Sequence, residues 1–187
     1  ILTIQSPSES EFADFVYNHG NVITDFFVRA ELNRGIKELE HSHSPRVARA
    51  AKEMFGCQVC VPTSLDAVKT GEDFFWASES QNNQLNFCMY SYPYVSSDIF
   101  TDDYFVHKSD SVMEKNIQGS REGMHMATQF YHNHYMVESE NIAVRNTFCQ
   151  QVRGLWHITK DNMGGPFISN VRVDTVHHKV IVAEGFV

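Results

Sequence analysis

Apolar side chains recur at helical spacing in the first part of the chain. Phe12, Phe15, Val16, Ile23, Phe26, Phe27 and Ala30 fall on one face in steady phase. Ser6-Pro7-Ser8-Glu9 ahead of them is a start signal: Ser at the N-cap, Pro at the first helical position, Glu three residues after the cap. The phase runs through Gly20, so the pattern predicts one long helix to about residue 40. His41-Ser42-His43-Ser44-Pro45 reads as a turn in which Ser44 caps and Pro45 opens a second helix. Val47, Ala48, Ala51, Met54 and Phe55 form the buried stripe of that helix, and Gly56 ends it.

The period then shortens to that of strands. Cys57-Gln58-Val59-Cys60-Val61 predicts a short strand closed by Pro62, and residues 74–80 and 85–92 predict a hairpin around Gln81-Asn82-Asn83-Gln84. A helix is expected over about 101–117, with Tyr104, Phe105, Val112 and Met113 on its apolar side and Gly119 and Gly123 beyond its end. Strands follow over about 124–137, 142–160, 166–174 and 179–187, with tight turns at 162–166 and 176–178. Ile1-Leu2-Thr3-Ile4 also reads as a strand.

These elements predict an α+β fold, with helices packed on one face of a largely antiparallel sheet. The order over 1–137 is that of a ferredoxin-like split βαβ arrangement, and 138–187 is an appended β-meander. With no internal repeat and no linker rich in Gly, Pro or Ser, a single domain over 1–187 is expected. Both ends finish flush on strand-forming residues, without an initiator Met, signal peptide or lipidation motif. That predicts a fragment of a longer chain.

Composition narrows the function classes. Of 187 residues 42% are apolar and 12% aromatic, fourteen of them Phe, which excludes a disordered or fibrous chain. A net charge of -8 without clustered Lys and Arg argues against a nucleic-acid partner. No apolar run approaches the roughly 20 residues that span a bilayer.

Candidate chemistry is sparse. In an extended segment His132 and His134 share a face, and with His125 they would form a three-ligand zinc site. The competing reading is a polar strand edge with surface imidazoles. His41, His43, His177 and His178 lie in turns, where exposure is expected, and His19 reads as half-buried on the first helix. Cys57 and Cys60 have redox or zinc spacing, but a helix precedes them where thiolate activation needs one to follow, and Cys88 and Cys149 are isolated. Structural packing is therefore the reading for the cysteines. Asp161 and Asp174 flank a turn, where capping competes with acid–base work. There is no Gly-x-Ser-x-Gly elbow and no phosphate-binding Gly-rich loop. No catalytic residue and no cofactor is assigned.

Aromatic residues are the stronger signal. Phe74, Phe75, Trp76, Tyr90, Tyr92, Tyr94, Phe130, Tyr131, Tyr135 and Trp156 fall on neighbouring strands. Alternation sends about half of them outward. Trp76, Tyr90, Tyr92, Tyr94 and Trp156, with Arg153 and Arg172, would form a binding surface for carbohydrate or protein, unless a missing segment covers it.

Several blocks also resemble a known family. They are Tyr90-Ser91-Tyr92-Pro93-Tyr94, Arg121-Glu122-Gly123-Met124-His125-Met126-Ala127-Thr128, Arg153-Gly154-Leu155-Trp156, Asp161-Asn162-Met163-Gly164-Gly165-Pro166-Phe167, Arg172-Val173-Asp174 and Val180-Ile181-Val182-Ala183-Glu184. In this order they resemble the domain-of-unknown-function family numbered four-eight-three-seven, found in Bacteroidetes, over nearly the whole chain. The resemblance implies an envelope lipoprotein whose lipid anchor lies outside this sequence, the anchor being its only membrane attachment. It carries no catalytic residue. Gln118, where the family has Pro, and Asn170, where it has His, depart from the pattern. The functional expectation is a non-enzymatic envelope module that binds a protein or carbohydrate partner through an aromatic sheet face. The alternatives are a metal-dependent hydrolase using His125, His132 and His134, and a structural subunit of an envelope assembly.

Overall fold

The structure is a computed structural model that describes residues 1–81 and 84–187. The chain divides into two units, Ile1–His43 and Ser44–Val187, each with its own contacts.

In the first unit, α1 spans Glu9–His41 as two helical stretches joined across a kink at His19, rather than the one uninterrupted helix the phase predicts. Ser8 caps it, its hydroxyl accepting the Glu11 N–H at 3.2 Å. His19 departs from helical geometry (φ -120°, ψ 15°) just before Gly20. It is exposed rather than half-buried: its ring stacks on Phe15 at 4.3 Å, and Nδ1 lies 2.9 Å from the Phe15 carbonyl. No residue of α1 is buried. At about 100° per residue, Val28, Leu32, Ile36 and Leu39 form a second apolar stripe opposite the one that runs from Phe12 to Ala30. Residues 1–4 pair with no strand among the described residues.

The second unit holds two helices and one large sheet. Helix α2 spans Pro45–Phe55 and α3 spans Asp102–Asn116. The strands are β1 Leu65–Gly71, β2 Phe74–Glu79, β3 Asn86–Pro93, β4 Met126–Thr128, β5 Phe130–Tyr131, β6 His134–Tyr135, β7 Val137–Val144, β8 Thr147–Ile158, β9 Gly164–Asp174 and β10 Lys179–Phe186. Their order in the sheet is β1-β2-β3-β10-β9-β8-β4, and β7 also pairs with β8. β5 and β6 form a separate small hairpin. All pairings between the described strands are antiparallel.

The α+β class therefore holds, while the ferredoxin-like arrangement does not form, because residues 1–4 and 57–61 are not strands and the sheet order β1-β2-β3-β10-β9-β8-β4 lacks its split crossovers. β10 inserts between β3 and β9, so residues on both sides of position 137 belong to one sheet. Residues 57–61 are irregular, since their backbone serves a helix cap instead of a ladder. The Ser44 N–H donates to the Val61 carbonyl at 2.9 Å, and the Ser44 hydroxyl donates to the Leu65 carbonyl at 2.9 Å. The strand expected over 142–160 is broken at Arg145 and Asn146, both left-handed (φ 51° and 59°), a two-residue hairpin connection. The turn expected at 81–84 has Asn82 and Asn83 outside the described residues.

Helices lie on both faces of the sheet rather than one. α2 sets Val47, Ala51 and Phe55 over Leu65, Phe75, Ala77 and Met89. α3 sets Phe105, Val106 and Met113 over Phe74, Tyr90, Val171 and Val182. Val180, Val182, Glu184 and Phe186 alternate toward α3, while Ile181 and Ala183 point toward α2. The outer strand β1 shifts register between Leu65 and Ala67, and its Lys69 reaches the Asn116 carbonyl at 3.0 Å.

Candidate functional site

Beneath α3 the sheet carries a row of polar residues that its apolar alternation does not call for. Antiparallel register places Cys88 of β3, Glu184 of β10 and Ser169 of β9 side by side. Glu184 is 1% exposed and Ser169 is fully buried. The Ser169 hydroxyl donates to Glu184 Oε2 at 2.6 Å. Burial, together with the like charge of Asp110, pushes the Glu184 carboxyl up to about 7, against the Ser169 bond that favours the charged form. Burial likewise pushes the Cys88 thiol and the Tyr90 phenol well above their ordinary ranges, and Glu184 adds to both.

The row is capped by α3. Asp110 accepts the Thr128 N–H at 2.8 Å and its hydroxyl at 2.7 Å, which ties α3 to β4. Burial raises the Asp110 carboxyl despite those bonds. The Tyr92 hydroxyl and the Gln150 Oε1 find no hydrogen-bond partner among the described residues, and the Tyr90 hydroxyl faces Ser109 of α3. A serine whose hydroxyl meets a carboxylate is the geometry of an activated nucleophile, yet both groups are sealed from solvent in this state.

The residues expected to form an aromatic surface divide differently. Tyr90, Tyr92 and Trp156 are buried, because the even positions of β2, β3 and β8 share the face that α3 covers. Trp76 is half-buried on that same face, its Nε1–H donating to Asn86 Oδ1 at 3.1 Å. The Trp156 Nε1–H donates to the Val187 carbonyl at 3.1 Å. Tyr94 stands exposed past the end of β3. The outward aromatic face is thus replaced by an inward one. The glycines expected as a turn serve this packing: Gly165 lies in β9, where a Cβ would meet the Val187 carbonyl oxygen at 1.9 Å.

Arg153 and Arg172 lie on the opposite face, beyond the half that α2 covers. There Leu155 is 41% and Ile168 40% exposed, on adjacent strands with Gln151 and Asn170 beside them. Arg153 donates through Nε and Nη2 to Gln151 Oε1 at 3.1 and 2.7 Å, and Arg172 Nη2 donates to the Val144 carbonyl at 3.2 Å. Both guanidiniums thus bond to neutral acceptors, and neither joins an ion pair among the described residues.

The histidines expected to bind metal do not converge. His132 sits in a left-handed turn with Asn133 (φ 46° and 64°), so it shares no strand face with His134. His134 Nδ1 contacts the His132 carbonyl at 3.2 Å, and half-buried His125 bridges to Gln118. Among the described residues no group of three His, Cys, Asp or Glu could hold a metal ion. The four cysteines are unpaired. Asp174 caps its turn, accepting the Val176 and His177 N–H groups at 2.9 and 3.1 Å, and the His177 contact holds its carboxyl below the usual range.

The family model described as Domain of unknown function (DUF4837) matches residues 44–187, which is the second unit. The chain belongs to the DUF4837 family. No curated protein matches it. The DUF4837 region therefore contains both the polar row under α3 and the Arg153–Arg172 face, while α1 precedes it. Residue-type reasoning missed Glu184 and Ser169. Their signal was present: Glu184 falls in phase with Val180, Val182 and Phe186, and Ser169 with Phe167 and Val171.

Proposed function

We propose that this DUF4837 protein is a non-catalytic binding module of the bacterial envelope. Its partner is a protein, engaged through the open half of the sheet face around Leu155 and Ile168. The observation that carries the reading is two exposed aliphatic side chains flanked by Arg153 and Arg172. Their hydrogen bonds go to the Gln151 amide oxygen and the Val144 carbonyl, while Glu138 stands cross-strand from Arg153 without an ion pair among the described residues. Such a patch is completed by a surface that offers an apolar side chain and a carboxylate. A carbohydrate partner is less well served, since Tyr90, Tyr92 and Trp156 are packed beneath α3 and give no stacking platform. The envelope location is supported by the resemblance to lipoprotein-like members of the family.

The test is site-specific photocrosslinking in cells that produce the full-length protein. A photoreactive residue at Gln151 or Asn170 is expected to give a discrete adduct, abolished by Arg172→Glu. The same probe at His107, on α3, is expected to give none. Equal labelling at all three positions, or adducts indifferent to Arg172→Glu, would overturn the reading.

A further inference from the structure

Glu184 sits at the centre of the sheet with a single hydrogen bond, from Ser169, and no cation within ion-pair distance among the described residues. A carboxylate sealed this way is costly unless paired, so the closed structure favours the neutral acid on burial grounds alone. The groups that face it can be named element by element. β3 contributes Cys88 and Tyr90, α3 contributes Asp110, β9 contributes Ser169 and β8 contributes Val152. None of these is cationic. The charge that α3 brings toward Glu184 is a second carboxyl, Asp110, which His107 of α3 and His157 of β8 face in turn.

We propose that Glu184 is a proton-operated latch for α3: with its proton, the helix closes on the sheet; without it, the helix lifts and hydrates the buried row of Cys88, Glu184 and Ser169. The switching element is α3 with its Asp110–Thr128 tether, and the α2 side of the sheet does not take part. Removing the proton sets a buried Glu184 charge against the like charge of half-buried Asp110, with no cation within ion-pair distance of Glu184 among the described residues. Opening relieves this by exposing both to water. Burial pushes the Glu184 carboxyl into the neutral range, in keeping with that geometry.

Hydrogen exchange of the whole protein tests this, reading α3 amides from Phe105 to Met113 against α2 amides from Val47 to Ala51. The α2 set removes the intrinsic pH dependence of exchange. Between about pH 5.5 and about pH 8.5 the relative protection of α3 is expected to fall by roughly tenfold or more. In Glu184→Gln that fall is expected to vanish, whereas in Asp110→Asn, which keeps the titrating group, it should persist in part. Equal loss from α2 and α3 would mean global destabilisation and overturn the latch, as would a fall of the same size in Glu184→Gln. Titration of the glutamate side-chain carboxyl carbons by NMR reads the same group in the unaltered protein. A Glu184 midpoint in the ordinary glutamate range would also overturn it.

Discussion

Beneath α2 the sheet presents Leu65, Phe75, Ala77 and Met89, and polar groups stay at the rim, where the Ser44 hydroxyl donates to the Leu65 carbonyl and the Ser91 hydroxyl to Asp73. Beneath α3 the same strands turn Glu184, Ser169, Tyr90 and Gln150 inward. Both interiors are helix-covered, but among the described residues only the second buries carboxyl groups. An apolar interior has one low-energy state over the whole pH range. A carboxyl-bearing one has two, and the solution chooses between them. The contrast shows that burial alone does not say whether a helix is fixed to its sheet or conditionally held there.

The contrast can be broken most severely on the α2 side. Phe75→Ala removes a fully buried ring and is expected to cost roughly 3–5 kcal/mol by chemical denaturation, with little pH dependence. Second in size is the pH effect of Glu184. Its proton affinity is higher folded than unfolded, so below about 4.5 both states carry the proton and no penalty arises. As pH climbs to about 7 the unfolded chain has released a proton that the folded one keeps, so stability falls with rising pH, by about 3 kcal/mol in total. The difference between the wild-type and Glu184→Gln denaturation curves across that window isolates this contribution; a difference that grows toward low pH would contradict it.

Smaller effects sharpen the same line. Ser169→Ala deletes the only hydrogen bond to the Glu184 side chain among the described residues and should destabilise by roughly 1–3 kcal/mol, more at about pH 8 than at about pH 5. Tyr92→Phe removes a buried hydroxyl without a partner among the described residues and should be neutral or stabilising by up to about 1 kcal/mol in thermal melts. Smallest is Lys115→Ala, which breaks an exposed pair with Glu72 and should change stability by less than about 0.5 kcal/mol.

Local signals carried most of the elements. Ser44 and Gly56 mark helix ends that the structure keeps, whereas the first helix is capped by Ser8 in place of the expected Ser6 and kinks at His19, next to the Gly20 that the phase of Phe12 to Ala30 crossed. What local pattern cannot encode is which strand neighbours which. The insertion of β10 between β3 and β9 decides that Tyr90 and Trp156 face inward, and no spacing within either segment contains that information. The metal expectation failed for a different reason, because the His132-Asn133 left-handed turn changes the period at the two residues where strand alternation was assumed. Glu184 was legible as an inward position of an alternating strand, but its partners come from β9 and α3, far away in sequence.

The outer strand β1 has a consequence of its own. Its free edge offers unpaired backbone groups to any extended chain, which is how sheets seed fibrous aggregates. The register slip between Leu65 and Ala67 bends that edge, and Lys69 would carry its charge into any strand laid alongside. Straightening the bulge while neutralising Lys69 would leave the fold intact and turn a self-limiting sheet into one that recruits its own copies.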